Sequence, residues 1–315
     1  MASAVGLAVL GAPLRSSLLT EGTELAATHL RTFAVSGAAL AGVDVVDAGD
    51  VALPPPGTSD YLAGGPVPRN EARVRDSLRL VAARIEETVL AGRTPVVFGG
   101  DATVDVALLA GIQDGRSSEV RLGVVSLDGA ARFRTPETAP GGDLESMVLS
   151  LEVGRGPLSL ARLARERFPL VQESDVVLAG VRDALPAEAA SLAESRIVVL
   201  TPDRLVGREG EAVFMGALGR LAQRTRDVVL LLDASVLDPT QLPAAVGEPS
   251  PGGLSLEGLK TLGRELSRWH QEGTIRLAGV SVTGVDARKD PAGVHMHELA
   301  GFALRCFRGP TNPTT

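Results

Sequence analysis

The chain has 315 residues, 44% of them hydrophobic, and its 31 basic and 38 acidic side chains leave a net charge of −7. That length and apolar content allow a sizeable buried core, and an acidic balance without a basic block argues against a nucleic-acid surface. No apolar run reaches the ~18 residues that span a bilayer, so no membrane association is expected. The apolar stretch near the amino terminus has no positive residue before it, so no signal peptide is expected either. The single cysteine, Cys306, excludes an internal disulfide framework and multi-cysteine metal sites, and the expected compartment is the cytoplasm. Lys260 and Lys289 are the only lysines; with the richness in Ala, Gly and Val, the arginine excess reads as the coding bias of a GC-rich bacterial genome.

Short β-branched runs alternate with longer helical patterns. In chain order the predicted strands are Val5–Leu10, Val43–Ala48, Thr94–Phe98, Arg121–Leu127, Asp175–Ala179, Ile197–Leu200, Asp227–Leu232 and Ile275–Val282. Most are near-continuous apolar runs, the pattern of parallel strands covered on both faces. Between them lie amphipathic segments. Asn70 is placed to cap a helix whose Val74, Leu78, Val81, Ile85 and Val89 step by three or four, and Ser255–Gln271 carries Leu256, Leu259, Leu262 and Leu266 on one face. The Pro/Gly-rich stretches Pro54–Pro68, Thr135–Gly142 and Leu242–Gly253 read as long loops, which in a compact α/β domain are usually functional or remnants of function. With no composition shift and no repeat, one domain over residues 1–308 and a frayed tail over residues 309–315 are expected. Ligands of such sheets bind beyond the carboxyl ends of the strands.

Several strand ends carry sharp signals. Val96–Phe98 runs into Gly99-Gly100-Asp101-Ala102; Val124–Leu127 runs into Asp128-Gly129-Ala130-Ala131-Arg132. Leu230–Leu232 leads into Asp233-Ala234-Ser235-Val236-Leu237-Asp238-Pro239, and Gly247–Leu254 follows as a PGGL-type loop. Each alone is an ordinary βα turn, with Gly supplying unusual backbone angles and Asp capping a helix. Together, in this order, they resemble the arginase/agmatinase family, the ureohydrolases. Gly11-Ala12-Pro13 after the first strand, Gly180–Asp183 after the fifth and Leu304–Phe307 near the end extend the resemblance over almost the whole chain.

The resemblance implies a three-layer α/β/α sandwich with a mostly parallel eight-stranded sheet, matching the strand count. It also implies hydrolysis of a guanidino or amidine group by a hydroxide bridging two Mn²⁺ ions. That chemistry needs imidazole and carboxylate ligands that hold both ions and lower the pKa of the bridging water. Two His and four Asp supply them in the family; here the corresponding positions are Ala102, Asp128, Ala130, Arg132, Asp233 and Ser235, so only two ligands remain. Asp128 and Asp233 match the family's bridging carboxylates. Glu145 stands at the proton-shuttle histidine, Leu185 at the acidic residue that binds substrate amine, and Gly284 at a strand-eight glutamate.

Other constellations are bland. His295 and His297 open the last helix, Cys306 falls in an apolar stretch of it, and no serine lies in a nucleophile elbow. The expectation is therefore a ureohydrolase-fold pseudoenzyme without the Mn²⁺ pair or any other cofactor, acting as a binding or assembly subunit. The alternative is a divergent C–N hydrolase of guanidino or amidine compounds. No catalytic residue and no metal ligand set is assigned. The remnant pocket is Asp128, Asp233, Arg132, Glu145, Asp101 and Ser235. Expected partners are further copies in a trimer or hexamer, or an active relative, with a small-molecule ligand possible. Arg132, four residues after Asp128, is expected to turn inward and bridge both acids in place of the ions.

Overall fold

A computed structural model describes residues 6–55, 68–116, 120–139, 141–247 and 249–308. Eight strands form one sheet: β1 (Leu7–Ala12), β2 (Val45–Asp50), β3 (Thr94–Gly99), β4 (Leu122–Leu127), β5 (Val176–Ala179), β6 (Val198–Leu200), β7 (Asp227–Asp233) and β8 (Arg276–Thr283). Their order is β2-β1-β3-β8-β7-β4-β5-β6, and every pairing is parallel. All eight expected strands are present, and the sheet is wholly parallel rather than mostly so.

The helices are α1 (Thr23–Ala41), α2 (Glu71–Leu90), α3 (Val104–Asp114), α4 (Val148–Glu152), α5 (Leu158–Ala161), α6 (Pro186–Glu194), α7 (Gly207–Ala222), α8 (Leu256–Gln271) and α9 (Val294–Arg305). Strand residues alternate between two cores because side chains point to opposite faces with a period of two. Val96, Phe98, Leu230, Leu232, Val280 and Val282 pack with α1, α7, α8 and α9, whereas Val97, Val124, Val229 and Leu231 pack with α2, α3, α4 and α6. This makes the three layers.

Several local expectations shift, and β2 runs two residues later than expected, over Val45–Asp50 instead of Val43–Ala48. β1 starts later than expected and continues through Gly11 and Ala12, which pair with Phe98 and Gly99. β2 extends beside Gly11 and β3 beside Ala12, and Pro13, lacking an N–H, ends the ladder. Asn70 does stand at the start of α2 but does not cap it with its side chain. Its backbone is left-handed (φ 60°), and the amide donates instead to the Ser16 carbonyl at 2.9 Å, tying α2 to the loop after β1. Ser255 behaves as a regular cap, its Oγ accepting from Gly258 N–H at 3.0 Å. The tail over residues 309–315 and most of the Pro54–Pro68 loop lie outside the described residues.

Candidate functional site

The carboxyl ends of β3, β4, β7 and β8 meet at the middle of the sheet, where the chain signals converge. After β3 the backbone turns so tightly that a Cβ on Gly100 would lie 1.6 Å from the Leu14 carbonyl oxygen. Only glycine fits there. The turn delivers Asp101 into the core, but its carboxylate is spent on the β1 loop. It accepts from Ser16 N–H (2.6 Å), Thr20 Oγ1 (2.8 Å), Thr103 N–H (3.1 Å) and Thr103 Oγ1 (2.5 Å). Asp101 is a clamp between loops and makes none of the direct contacts of the cluster below.

Asp128 and Asp233 stand at the tips of the paired strands β4 and β7, 4% and 2% exposed. Between them lies the guanidinium of Arg132. Its Nε donates to Asp128 Oδ2 at 2.5 Å. Nη2 lies 2.9 Å from Asp233 Oδ2, and Nη1 lies 2.9 Å from Glu145 Oε1. The first is an aligned hydrogen bond; the other two are close ion-pair contacts. The expected inward pose is thus the one found, with Glu145 as a third acid on the same guanidinium.

The surrounding chain holds this arrangement. Asp128 Oδ1 accepts from Ala130 N–H (2.8 Å) and from Ser235 Oγ (2.9 Å), while Asp233 accepts from Ser235 N–H (2.9 Å) and Thr283 Oγ1 (3.3 Å). Gly284, with φ +73°, lets the chain pass so close that a Cβ there would lie 2.3 Å from Asp233 Oδ2. Arg132 itself has φ 48°, a conformation that costs a non-glycine residue about 1–2 kcal/mol. Ala131 N–H to Asp183 O (3.1 Å) and Leu149 N–H to Arg132 O (3.0 Å) pin both sides of that residue and keep it there.

Electrostatics favour a charged guanidinium. Burial works to lower the Arg132 pKa, but Asp128, Asp233 and Glu145 outweigh it and hold it well above the ordinary value. One cation does not balance the acids. Burial pushes Asp128 up to about 6 despite Arg132, with Asp233 adding to the rise, and burial likewise raises Glu145 well above the carboxylate range.

Sequence reasoning missed two further acids. Asp105 on α3 and Glu152 at the end of α4 are buried and, with Asp128 and Arg132, line a cavity of about 10 Å³. That is room for about one water molecule. Asp105 Oδ1 and Glu152 Oε1 have no hydrogen-bond partner among the described residues. Burial pushes Asp105 up to about 8 and Glu152 well above its usual value. The signal was present in the sequence: each is a lone charge inside an apolar run, Val104–Leu109 and Val148–Val153.

A family model described as the arginase family matches residues 5–305. The chain belongs to the arginase family. An arginase from Bacillus caldovelox is 32% identical over 214 residues, covering 67% of this chain and 69% of that one. An arginase from Staphylococcus aureus is 26% identical over 249 residues, covering 78% and 80%. Among solved structures, the arginase of Bacillus caldovelox superposes with a TM-score of 0.86 at 24% identity, over 98% of this chain and all (100%) of that one. The proclavaminate amidino hydrolase of Streptomyces clavuligerus does so with a TM-score of 0.67 at 19% identity, over 96% and 92%.

Within this arginase-family chain, the six positions that resemblance assigned to Mn²⁺ ligands all fall at the strand ends. Ala102 is fully buried in apolar packing, and Ala130 and Ser235 carry no strong ligand atom for a divalent ion. Arg132 brings a positive charge between the two remaining carboxylates. Among the described residues no group of three or more His, Cys, Asp or Glu is placed to hold a metal ion. The donor set does not fit a dinuclear Mn²⁺ centre.

The flanking residues are occupied otherwise. Arg182 Nε donates to Ser250 O (2.6 Å), and Asp183 Oδ2 accepts from Ser250 N–H (3.2 Å), stapling the PGGL-type loop to the segment that follows β5. Leu185 is exposed. His295 and His297 lie in the first turn of α9, where His297 meets the edge of Phe33 at 5.6 Å. Cys306 is buried at the end of α9, and burial pushes its thiol up to about 12, far from a reactive thiolate. No helix among the described residues is long and apolar enough to cross a membrane.

Proposed function

We propose that this chain is an arginase-fold subunit that works without metal, as a binding or assembly protein rather than as a Mn²⁺-dependent hydrolase. The observation that supports this reading is the Arg132 guanidinium between Asp128 and Asp233, where two ions would otherwise neutralise the acids. A fixed cation removes the need for metal and also removes the bridging water that metal would activate. The partner we propose is a further copy of the chain, in a trimer or hexamer, or an active member of the same family, in the cytoplasm.

A second reading is metal-free hydrolysis of an amidine. Relatives named arginase and the buried acids Asp105 and Glu152, both raised by burial, favour it. The cavity lined by Asp105 and Glu152, about 10 Å³, has room for about one water and none for a guanidino group. That favours the first reading.

The test combines metal content, melting temperature and urea release. The purified protein is expected to hold well under one Mn²⁺ per chain, and added Mn²⁺ leaves its melting temperature unchanged, because stabilisation by a ligand vanishes when affinity is poor. Arginine and agmatine yield no urea. Urea release that survives repurification and disappears in Asp128→Asn would overturn the proposal. The quadruple variant Ala102→His, Ala130→His, Arg132→Asp, Ser235→Asp should gain Mn²⁺ binding before any activity. Its melting temperature without metal should fall, since a histidine at buried Ala102 overpacks the core by about 1–3 kcal/mol.

A further inference from the structure

Far from the strand ends, α8 and α9 lie side by side and leave a groove of about 620 Å³ between them, within the size range of small-molecule sites. Its floor is Gly263 against Phe302. A Cβ on Gly263 would lie 2.4 Å from the Phe302 ring, so the two helices approach there as only glycine permits. Its rim carries five bases, Lys260, Arg264, Arg268, Arg305 and Arg308, and two acids, Glu265 and Glu298. With Glu257 and Glu272, which pair with Lys260 and Arg268, the local balance is +1, from five bases less four acids, on a chain whose total is −7.

Three of these cations are already committed. Lys260 pairs with Glu298 (2.8 Å) and Glu257 (3.3 Å), Arg268 with Glu265 (2.5 Å) and Glu272 (3.3 Å), and Arg305 with Glu298 (3.4 Å). Two are not. Among the described residues Arg264 donates to Thr261 Oγ1 at 2.7 Å, and neither Arg264 nor Arg308 has a carboxylate within ion-pair range. The backbone that carries Arg308 is anchored to α8: Ser267 Oγ donates to the Arg308 carbonyl, and Gln271 Nε2 donates to the Phe307 carbonyl at 2.8 Å. Among the described residues, two guanidinium groups without a carboxylate partner thus stand on fixed supports at the rim of an apolar-floored groove.

We propose that this groove is a binding site for a small organic polyphosphate, with phosphate oxygens on Arg264 and Arg308 and the uncharged part of the ligand on the Gly263–Phe302 floor. Guanidinium forks match phosphate geometry and bind it through paired, charge-assisted hydrogen bonds. The apolar floor accounts for an organic part, and the two guanidinium groups without a carboxylate account for more than one negative charge. The site lies outside the strand-end cluster and holds whatever becomes of the metal-free reading above.

Calorimetric titration of the whole protein with ADP, pyrophosphate and inorganic phosphate tests it, with oligomeric state followed by light scattering. ADP is expected to bind more tightly than pyrophosphate, and pyrophosphate more tightly than phosphate. Arg264→Glu and Arg308→Glu should each weaken ADP binding at least tenfold, and higher salt should weaken it in the unchanged protein. Absence of binding at millimolar ADP would overturn the proposal, as would binding that both variants leave intact. A change of oligomeric state in the variants without any ADP binding would instead make the groove a contact between copies, and would overturn it too.

Discussion

At the scale of single residues, Arg132 carries most of the electrostatic interpretation. Two unit charges about 4 Å apart interact by about 4 kcal/mol at an effective dielectric of 20, so Asp128 and Asp233 side by side repel strongly unless something positive lies between them. The guanidinium meets both of them and Glu145 while almost out of solvent, its side chain 10% exposed. Removing it leaves three buried acids without their cation. Arg132→Ala should therefore destabilise the fold by roughly 3–5 kcal/mol in urea denaturation, the usual cost of breaking a buried charge pair from one side. Asp128→Asn with Asp233→Asn in that background should recover part of the loss. A loss below about 1 kcal/mol would mean the guanidinium is not what neutralises the acids. Arg132→Lys should not rescue fully, because a single ammonium cannot reach three carboxylates as a planar fork does.

At the scale of elements, the apolar runs, caps and turns decide where strands and helices begin. Ser255 starts α8 with a side chain that accepts from Gly258 N–H, and four apolar residues of α8 then face the sheet. Ser255→Ala should cost about 1 kcal/mol, measured as a lower urea midpoint with unchanged slope. An unchanged midpoint would show that packing alone holds that end. Asn70 is the contrary case. Its position before α2 is the capping position, but the Ser16 carbonyl lies within reach and takes the amide instead. The two strand tips behave more simply: Asp233 caps the short turn that follows β7 with its own carboxylate, accepting from Ser235 N–H, and the same carboxylate faces Arg132.

At the scale of the whole molecule, the excess of buried acid over buried base makes stability depend on pH. Asp105 titrates from an ordinary value of 3.8 up to about 8 in the folded chain, chiefly through burial. The folded state then keeps a proton that the unfolded state has lost. This contribution is full below about 4 and disappears as pH rises through about 8. Glu145 and Glu152, raised by burial, act in the same direction. The melting temperature should therefore fall between pH 5 and pH 8.5, and Asp105→Asn should flatten the fall by about a few degrees. Equal slopes in the two proteins would show that Asp105 is ionised at neutral pH.

The sequence alone determined the layers, the strand count and the family, because all three depend on local patterns. Apolar runs of strand length, helical stripes such as Val74–Val89 and glycine-aspartate turns are readable one segment at a time. The positions that differ from the family's ligand pattern were readable as well, since each stands at a fixed offset from a strand end. Tertiary structure decided the rest. The inward turn of Arg132 is expected from its offset to Asp128, but its left-handed backbone and the third acid on its guanidinium depend on Glu145 and Asp233 arriving from distant segments. That Asp105 and Glu152 share one water-sized cavity depends on two helices meeting over the same strands. Periodicity tells which face of an element is buried. It does not tell which buried charge meets which, because that is set by the approach of segments far apart in the chain.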